Sequence, residues 1–333
     1  MNYCFKNLVF EGGGVKGVAY GGALNELDRL NLLKSVERVA GTSAGAITAC
    51  LLAVGYTPED ITQIISRTNF SKFEDNTFGI FRDLKRLIFN YGWNKGEVFQ
   101  RWIGELISIK TGHSDFTFED LYTQRKECGY KDLYIVCSNI TRQKADILSY
   151  ETTPSLPIRD AVRMSMSIPI FFAAVKNESG DVIVDGGVTM NYPINIFDNV
   201  KYLSNPSNGT VIDYGIGDTG QTFNYETLGF RVDSTEEKNY LLSNWDGDKS
   251  ATKNLKNFIG SLIVFMMEMA NKKHLQKNDW NRTIFIDSGT IKATDFDLKE
   301  KDINLLINNG KNAVQDYFHW RDNDLRWSNI PKC

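Results

Sequence analysis

The chain has 333 residues, of which 42% are hydrophobic and 24% are charged. These values are typical of a folded globular protein and exclude an intrinsically disordered chain. The 38 Lys and Arg residues nearly balance the 41 Asp and Glu residues, so the net charge of −3 provides no overall attraction to nucleic acid. The N-terminus lacks a basic segment followed by a long apolar stretch, so we predict no secretory signal peptide.

The first part of the chain alternates strand-like and helix-like segments. Leu8 to Phe10 predicts a buried strand, and apolar residues at helical spacing predict a helix over residues 17 to 33. Val36 to Ala40 predicts a second strand, and Ala44 to Val54 predicts the helix after it. A proline and two acidic residues directly after Thr57 indicate the start of a third helix.

The same alternation continues to the end of the chain. We predict further helices at 95–111, 117–127, 157–167, 250–277 and 299–319, and further strands at 132–139, 144–150, 182–184, 210–216 and 283–286. Strands that alternate with helices are typical of a mainly parallel sheet covered on both faces. No linker-like segment interrupts the pattern, so we expect a single α/β domain over residues 1–333 with helical additions in the C-terminal third.

A glycine-rich turn follows the first predicted strand. Gly12, Gly14 and Gly17 match the dinucleotide-binding fingerprint G-x-G-x-x-G. That fingerprint also requires an acidic residue at the carboxyl end of the second strand, whereas Glu37 lies at the opposite end. Nucleotide binding therefore stays an alternative function of this turn. The second possible function of the turn is to direct backbone N–H groups at negative charge that develops during a reaction.

A second turn has the pattern of a nucleophile elbow. Gly41, Ser43 and Gly45 form G-x-S-x-G between a predicted strand and a predicted helix. The flanking glycines allow two backbone segments to approach closely while the serine oxygen points outward. A tight turn with a capping serine is the structural alternative.

A nucleophilic serine requires a base to accept its proton. His274 and His319 lie within predicted long helices, and a histidine-dependent esterase stays an alternative. Asp185 ends a predicted strand and is followed by two glycines, although Asp-Gly is also a common turn pair. A partly buried carboxylate at this position could accept the serine proton directly.

Four segments together resemble the patatin-like phospholipases. EGGGVKG, GTSAG, SMSIP and DGGVTMNYP occur in the order of that family between residues 6 and 200. The resemblance implies a three-layer α/β/α sandwich with a mainly parallel central sheet and extra helices. It also implies a Ser–Asp dyad in which Ser43 is the nucleophile and Asp185 is the general base. The backbone amides that it implies for the oxyanion hole belong to Gly12, Gly13, Gly14 and Ala44.

Two residues depart from the consensus of the family, which has Asp and Arg where this chain has Glu11 and Lys16. Both replacements keep the charge, but lysine cannot make the bidentate contact that arginine makes. The resemblance implies a contact between Lys16 and a substrate phosphate, and we expect that contact to lack the bidentate geometry. The motif sequences EGGGVKG and GTSAGAI are most similar to those of the bacterial effector-type branch, which includes host-activated phospholipases.

We therefore expect a serine acyl hydrolase, either a phospholipase A or a lysophospholipase, that needs no metal and no organic cofactor. Its expected partners are a phospholipid or lysophospholipid at a membrane surface and a protein or small-molecule activator, with no nucleic acid. The expected location is cytoplasmic and peripheral to membranes, and secretion as an effector stays open. A non-catalytic lipid-binding module is a further alternative.

Two segments outside these motifs could contact lipid. Residues 70–93 combine aromatic and basic side chains, and part of this segment could lie on an anionic membrane surface. Residues 255–269 carry Phe and Met at helical spacing and could line an acyl channel. Packing in the protein core is the alternative for both segments.

Overall fold

The computed structural model describes residues 3–68, 92–94, 96–211, 222–234 and 277–323. Most of the basic and aromatic segment at 70–93, the apolar segment at 255–269 and His274 lie outside these residues. The predicted helix at 250–277 and most of the predicted strand at 210–216 also lie outside them.

Twelve strands and eight helices form the described part of the chain. The strands are β1 (Asn7–Phe10), β2 (Arg38–Thr42), β3 (Gly92–Asn94), β4 (Asp132–Asn139), β5 (Lys144–Leu148), β6 (Ile170–Phe172), β7 (Val175–Lys176), β8 (Val182–Asp185), β9 (Gly209–Val211), β10 (Thr222–Asn224), β11 (Thr227–Asp233) and β12 (Thr283–Asp287). The helices are α1 (Ala19–Arg29), α2 (Ala44–Ala53), α3 (Pro58–Arg67), α4 (Glu97–Thr111), α5 (Phe118–Cys128), α6 (Ile158–Ser165), α7 (Gly187–Met190) and α8 (Glu300–Asn323).

The central sheet is mainly parallel, as predicted. Its strand order is β12-β11-β1-β2-β4-β8-β7, and the ladders from β12 through to β4 are all parallel. Every residue of β1 and β4 is buried, which is the pattern of strands covered on both faces. The fold is therefore the α/β architecture with a mainly parallel sheet that the sequence predicts.

One central strand was not predicted. β11 pairs with β1 on one side and with β12 on the other, so the C-terminal third adds two strands to the sheet as well as helices. The charged residues Arg231 and Asp233 make its sequence look unlike a buried strand. Both are buried, and their side chains neutralise each other through hydrogen bonds of 2.7 to 3.0 Å.

The two edges of β4 are used differently. Val136 pairs with Ile147 of β5 on one edge and with Thr42 of β2 on the other. Cys137, the next residue, pairs with β5 on the first edge and with Asp185 of β8 on the second. β2 and β8 therefore lie end to end along the same edge of β4.

The loops and helices at the carboxyl end of β1 pack onto the C-terminal third. Phe10 stacks on Phe230 of β11, with ring centroids 5.1 Å apart, and Tyr20 of α1 meets the edge of Phe10. The Val15 N–H donates to the Ala293 carbonyl at 3.1 Å. Within the described ranges, no helix combines the length and apolar character needed to cross a membrane.

Candidate active site

The topology of the sheet brings Ser43 and Asp185 together. β2 runs parallel to β4, whereas β8 runs antiparallel to it, so the carboxyl ends of β2 and β8 meet along their shared edge. Ser43 directly follows β2, and Asp185 is the last residue of β8. The two residues that the family resemblance implies as nucleophile and base thus lie at a single junction.

Ser43 occupies a sharp turn between β2 and α2. Its backbone has φ 53° and ψ −123°, a left-handed conformation that residues other than glycine rarely adopt. Gly45, two residues later, must be a glycine because the backbone of Phe10 lies close to it. A Cβ atom on Gly45 would be 2.4 Å from the Phe10 carbonyl oxygen. The G-x-S-x-G pattern therefore forms the tight strand-to-helix turn that the sequence predicts.

The Ser43 side chain is buried, with only 2% of the residue exposed. Its backbone N–H donates to the Ser165 hydroxyl oxygen at 2.9 Å, and its own hydroxyl donates to Met166 Sδ at 3.4 Å. Sequence reasoning included these two residues in SMSIP but gave them no role. Ser43 is thus held by the last residue of α6 and by the residue that follows it.

Asp185 is completely buried. Its Oδ1 accepts the Gly187 N–H at 2.7 Å, and within the described residues its Oδ2 has no hydrogen-bond partner. Burial raises the pKa of Asp185 to about 7, although the Ser43 hydroxyl and the Gly187 N–H both act to lower it. A carboxylate with this pKa is a stronger base than an exposed one and still ionises near neutral pH.

The glycine turn after β1 faces Ser43. A Cβ atom placed on Gly12 would lie 3.2 Å from the Ser43 Cβ. The Gly12 N–H already donates to the Asn191 carbonyl at 3.0 Å, whereas the N–H groups of Gly13 and Gly14 make no hydrogen bond within the described ranges. In this arrangement, Gly13 and Gly14 are better placed than Gly12 to donate to an oxyanion.

Two features add to this anion-binding geometry. Gly14 has φ +55°, and a Cβ atom there would lie 2.1 Å from the Ala293 carbonyl oxygen, so a glycine is required at this position. Ala44 is the first residue of α2, and its N–H makes no hydrogen bond to any residue that the structure describes. The amino end of a helix favours negative charge beside the serine.

Asn191 connects the glycine turn to the strand that carries Asp185. Its Nδ2 donates to the Gly12 carbonyl at 3.0 Å and to Glu11 Oε1 at 3.3 Å. Glu11 Oε2 in turn accepts the Val232 N–H at 3.0 Å. The motif DGGVTMNYP contains Asn191, but neighbouring residues in the sequence do not reveal that it contacts a turn 180 residues earlier.

Lys16 is placed among buried charges. Only 5% of the residue is exposed, and its positive charge acts with that of Arg231 to lower the pKa of Glu11. Burial has the larger effect and raises the pKa of Glu11 to about 8. Lys16 therefore serves as a counter-charge in this structure, and its contact with a substrate phosphate stays a prediction.

Two alternatives, a histidine-dependent esterase and a nucleotide-binding turn, find little support in the geometry of this site. His113 and His319 are exposed, and neither hydrogen bonds to Ser43 or Asp185 in the part of the chain that the structure describes. Glu37 precedes β2 and pairs with Lys6 at 2.8 Å, so it lies at the amino end of the strand. Among the described residues, no group of three His, Cys, Asp or Glu side chains could hold a metal ion.

A mainly parallel α/β sheet with a serine elbow at the carboxyl end of a central strand is an arrangement found in ester hydrolases. The sequence model of the patatin-like phospholipase family matches residues 8–198, and the chain belongs to this family. The protein is thus an ester hydrolase of the patatin-like phospholipase family.

Two relatives and one solved structure illustrate the similarity. Uncharacterized protein YqhO of Bacillus subtilis is 30% identical over 321 residues, which are 92% of this chain and 96% of that protein. Probable lipid hydrolase 463L of invertebrate iridescent virus 6 is 33% identical over 203 residues, which are 60% of this chain and 64% of that protein. The crystal structure of VipD from Legionella pneumophila matches 95% of this chain and 67% of its own, with a TM-score of 0.59 and 18% identity, and so shows a shared fold.

Proposed function

We propose that this protein is a phospholipase A or lysophospholipase that cleaves fatty-acyl esters of membrane lipids through a Ser43–Asp185 dyad. The observation that supports the proposal most is the junction of β2 and β8, where the Ser43 elbow meets a fully buried carboxylate. The pKa of that carboxylate is about 7, so it can accept a proton near neutral pH.

In the first half of the proposed reaction, Ser43 Oγ attacks the ester carbonyl carbon and its proton passes to Asp185. The carbonyl oxygen becomes an anion that accepts hydrogen bonds from the N–H groups of Gly13, Gly14 and Ala44. Gly12 shapes this turn, since its own N–H is bonded to Asn191. The ester C–O bond then breaks, the leaving alcohol takes the proton from Asp185, and the acyl group stays on Ser43.

In the second half, Asp185 accepts a proton from water while the water oxygen attacks the acyl carbon. The bond from the carbonyl carbon to Ser43 Oγ breaks, the fatty acid leaves, and the proton returns from Asp185 to Ser43. The same amides stabilise both oxyanions, because both form at the same carbonyl oxygen. The proposed cycle uses no metal and no organic cofactor.

The test is fatty-acid release from mixed phospholipid vesicles by the wild type, Ser43→Ala and Asp185→Asn. We expect activity to fall to background in Ser43→Ala and by about 10²- to 10⁴-fold in Asp185→Asn, the range for loss of a general base. Ser149→Ala is a matched control, because Ser149 is equally buried but bonds to Thr152 and Glu151 and not to the dyad. An Asp185→Asn variant that keeps full activity would refute the assignment of the base.

Labelling by a fluorophosphonate separates the nucleophile from the choice of lipid. If the wild type is silent on vesicles but labelled at Ser43, the role of Ser43 as the nucleophile is supported and the lipid class or the need for an activator must be reconsidered. Parallel assays on lysophospholipid, galactolipid and triglyceride then identify the substrate class. Sedimentation of the protein with vesicles tests whether it binds the membrane surface.

A further inference from the structure

Three consecutive residues connect the two members of the proposed dyad. Ser165, Met166 and Ser167 follow one another at the end of α6. The first accepts the Ser43 N–H at 2.9 Å, the second accepts the Ser43 hydroxyl at 3.4 Å, and the carbonyl of the third accepts the Asp185 N–H at 2.9 Å. This segment therefore holds the nucleophile and the base in one frame.

Ser165 occupies the gap where β2 ends. The parallel ladder stops at the pair Thr42–Val136, so the Ser43 N–H has no strand partner. The Ser165 hydroxyl accepts this N–H and donates its own hydrogen to the Val136 carbonyl at 2.6 Å. A single buried hydroxyl thus replaces the next rung of the ladder and ties the serine elbow back to β4.

The segment is itself fixed from the other side. The Arg163 guanidinium donates to the Ser167 hydroxyl at 2.5 Å and to the Ala173 carbonyl at 2.9 Å. Both Ser165 and Ser167 are completely buried, so water cannot replace these hydrogen bonds. A rigid segment can therefore impose a defined backbone conformation on Ser43.

We propose that Ser165 is a positioning residue that holds the Ser43 backbone in its left-handed conformation and so aims Oγ at the substrate carbonyl. It acts through the backbone of the nucleophile and does not touch the substrate. A strained residue keeps its conformation only where surrounding contacts enforce it. Among the residues that the structure describes, Ser165 is the one that accepts the Ser43 N–H. This inference rests on the proposed role of Ser43 as the nucleophile.

The test compares Ser165→Ala with Ser149→Ala, each of which removes a fully buried serine hydroxyl that accepts a backbone N–H. We measure the rate of fluorophosphonate labelling of Ser43 per folded molecule, together with kcat and KM for a soluble ester. In Ser165→Ala we expect the labelling rate and kcat to fall by about 10- to 100-fold, the effect of a small misplacement of a reacting group. KM and the pH at half-maximal rate stay near the wild-type values, and Ser149→Ala labels at the wild-type rate.

A further variant keeps the test decisive if Ser165→Ala does not fold. Ser165→Cys retains only a weak donor and acceptor at this position, so we expect it to be labelled at Ser43 more slowly than the wild type. A wild-type labelling rate in Ser165→Ala or in Ser165→Cys overturns the inference, and so does an equal loss in Ser149→Ala. Failure of the wild type to label at Ser43 refutes instead the proposed nucleophile.

Discussion

Thr42 and Asp185 lie opposite consecutive residues of the same strand, since Thr42 pairs with Val136 and Asp185 pairs with Cys137. The two strands that carry them approach each other from opposite directions along one edge of β4. Ser43, which follows Thr42, therefore meets Asp185 where neither β2 nor β8 continues. In the proposed dyad, the carboxylate at this junction takes the place of a histidine.

The proposed role of the buried Asp185 as the base predicts how activity depends on pH. Asp185 must be ionised to accept a proton, and burial raises its pKa to about 7. We expect kcat/KM to rise about tenfold per pH unit below this value and to level off above it. Initial rates on a soluble ester, whose own charge does not change over this range, measure the profile. A midpoint near the ordinary aspartate value would show that the ionising group is not the buried Asp185.

The ionisation of Asp185 should also make the free energy of unfolding depend on pH, and in the opposite direction to activity. The pKa of Asp185 rises from 3.8 to about 7 on folding, so the folded state binds a proton more tightly than the unfolded chain. The stability that this group contributes is complete below the unfolded pKa and is lost as the pH rises through the folded pKa. Asp185→Asn should therefore be more stable than the wild type at alkaline pH, by at most about 4 kcal/mol.

Chemical denaturation of the wild type and Asp185→Asn near pH 8 and near pH 5 measures this difference. Glu11, whose pKa is raised to about 8, titrates in both proteins and cancels from the comparison. We expect the extra stability of Asp185→Asn to shrink on acidification. A difference that does not change with pH would contradict the raised pKa of Asp185.

Asn191→Ala should loosen the glycine turn. The substitution removes both hydrogen bonds from Asn191 Nδ2 and leaves the Gly12 carbonyl and Glu11 with fewer partners. We expect kcat to fall by about 10- to 100-fold with a smaller change in KM, because misplaced amides stabilise the oxyanion less well. Steady-state kinetics on a soluble ester checks this result.

The matched control for Asn191→Ala is Asn208→Ala. Asn208 is also buried and also donates to a glutamate, Glu226, at 2.6 Å, but it lies away from the junction of β2 and β8. Both variants should lose about 1–3 kcal/mol of unfolding free energy, and only Asn191→Ala should lose activity. Equal losses of activity would indicate a general effect of stability.

Lys16→Met distinguishes a counter-charge from a phosphate contact. Because Lys16 is 5% exposed and acts on Glu11, we expect the variant to lower stability by about 1–3 kcal/mol. Activity on a phospholipid and on an ester without phosphate should fall by the same factor. A loss confined to the phospholipid would support the phosphate contact, and the ratio of the two kcat/KM values decides between them.

Replacement of the histidines tests the remaining chemical alternative. We expect His113→Asn, His274→Asn and His319→Asn each to keep wild-type fatty-acid release. His113 and His319 are exposed, whereas Ser43 is buried. Loss of activity without loss of folding in any one of them would favour a histidine-dependent esterase.

Most of the strands and helices in the described residues could be predicted, because their signals are local. The helix start predicted at Thr57 is present, where Thr57 and Asp60 form a capping box, and β4 spans the predicted residues 132 to 139. β11 could not be predicted, since Arg231 and Asp233 look exposed in sequence and become tolerable in a core only as a pair. Burial of a charge depends on a partner, and Arg231 also pairs with Glu11 at 3.7 Å. A partner so far away in the sequence leaves no local signal.

By itself, the sequence determined the α/β class, the tight turns at Gly12 and Ser43, and the membership of an ester-hydrolase family, because each depends on short motifs. Only the tertiary structure decided how those motifs meet. The reversed direction of β8 joins Ser43 to Asp185, and the fold brings Asn191 to the glycine turn. It also decided the pKa of Asp185, since exclusion of water by the surrounding chain is what raises it.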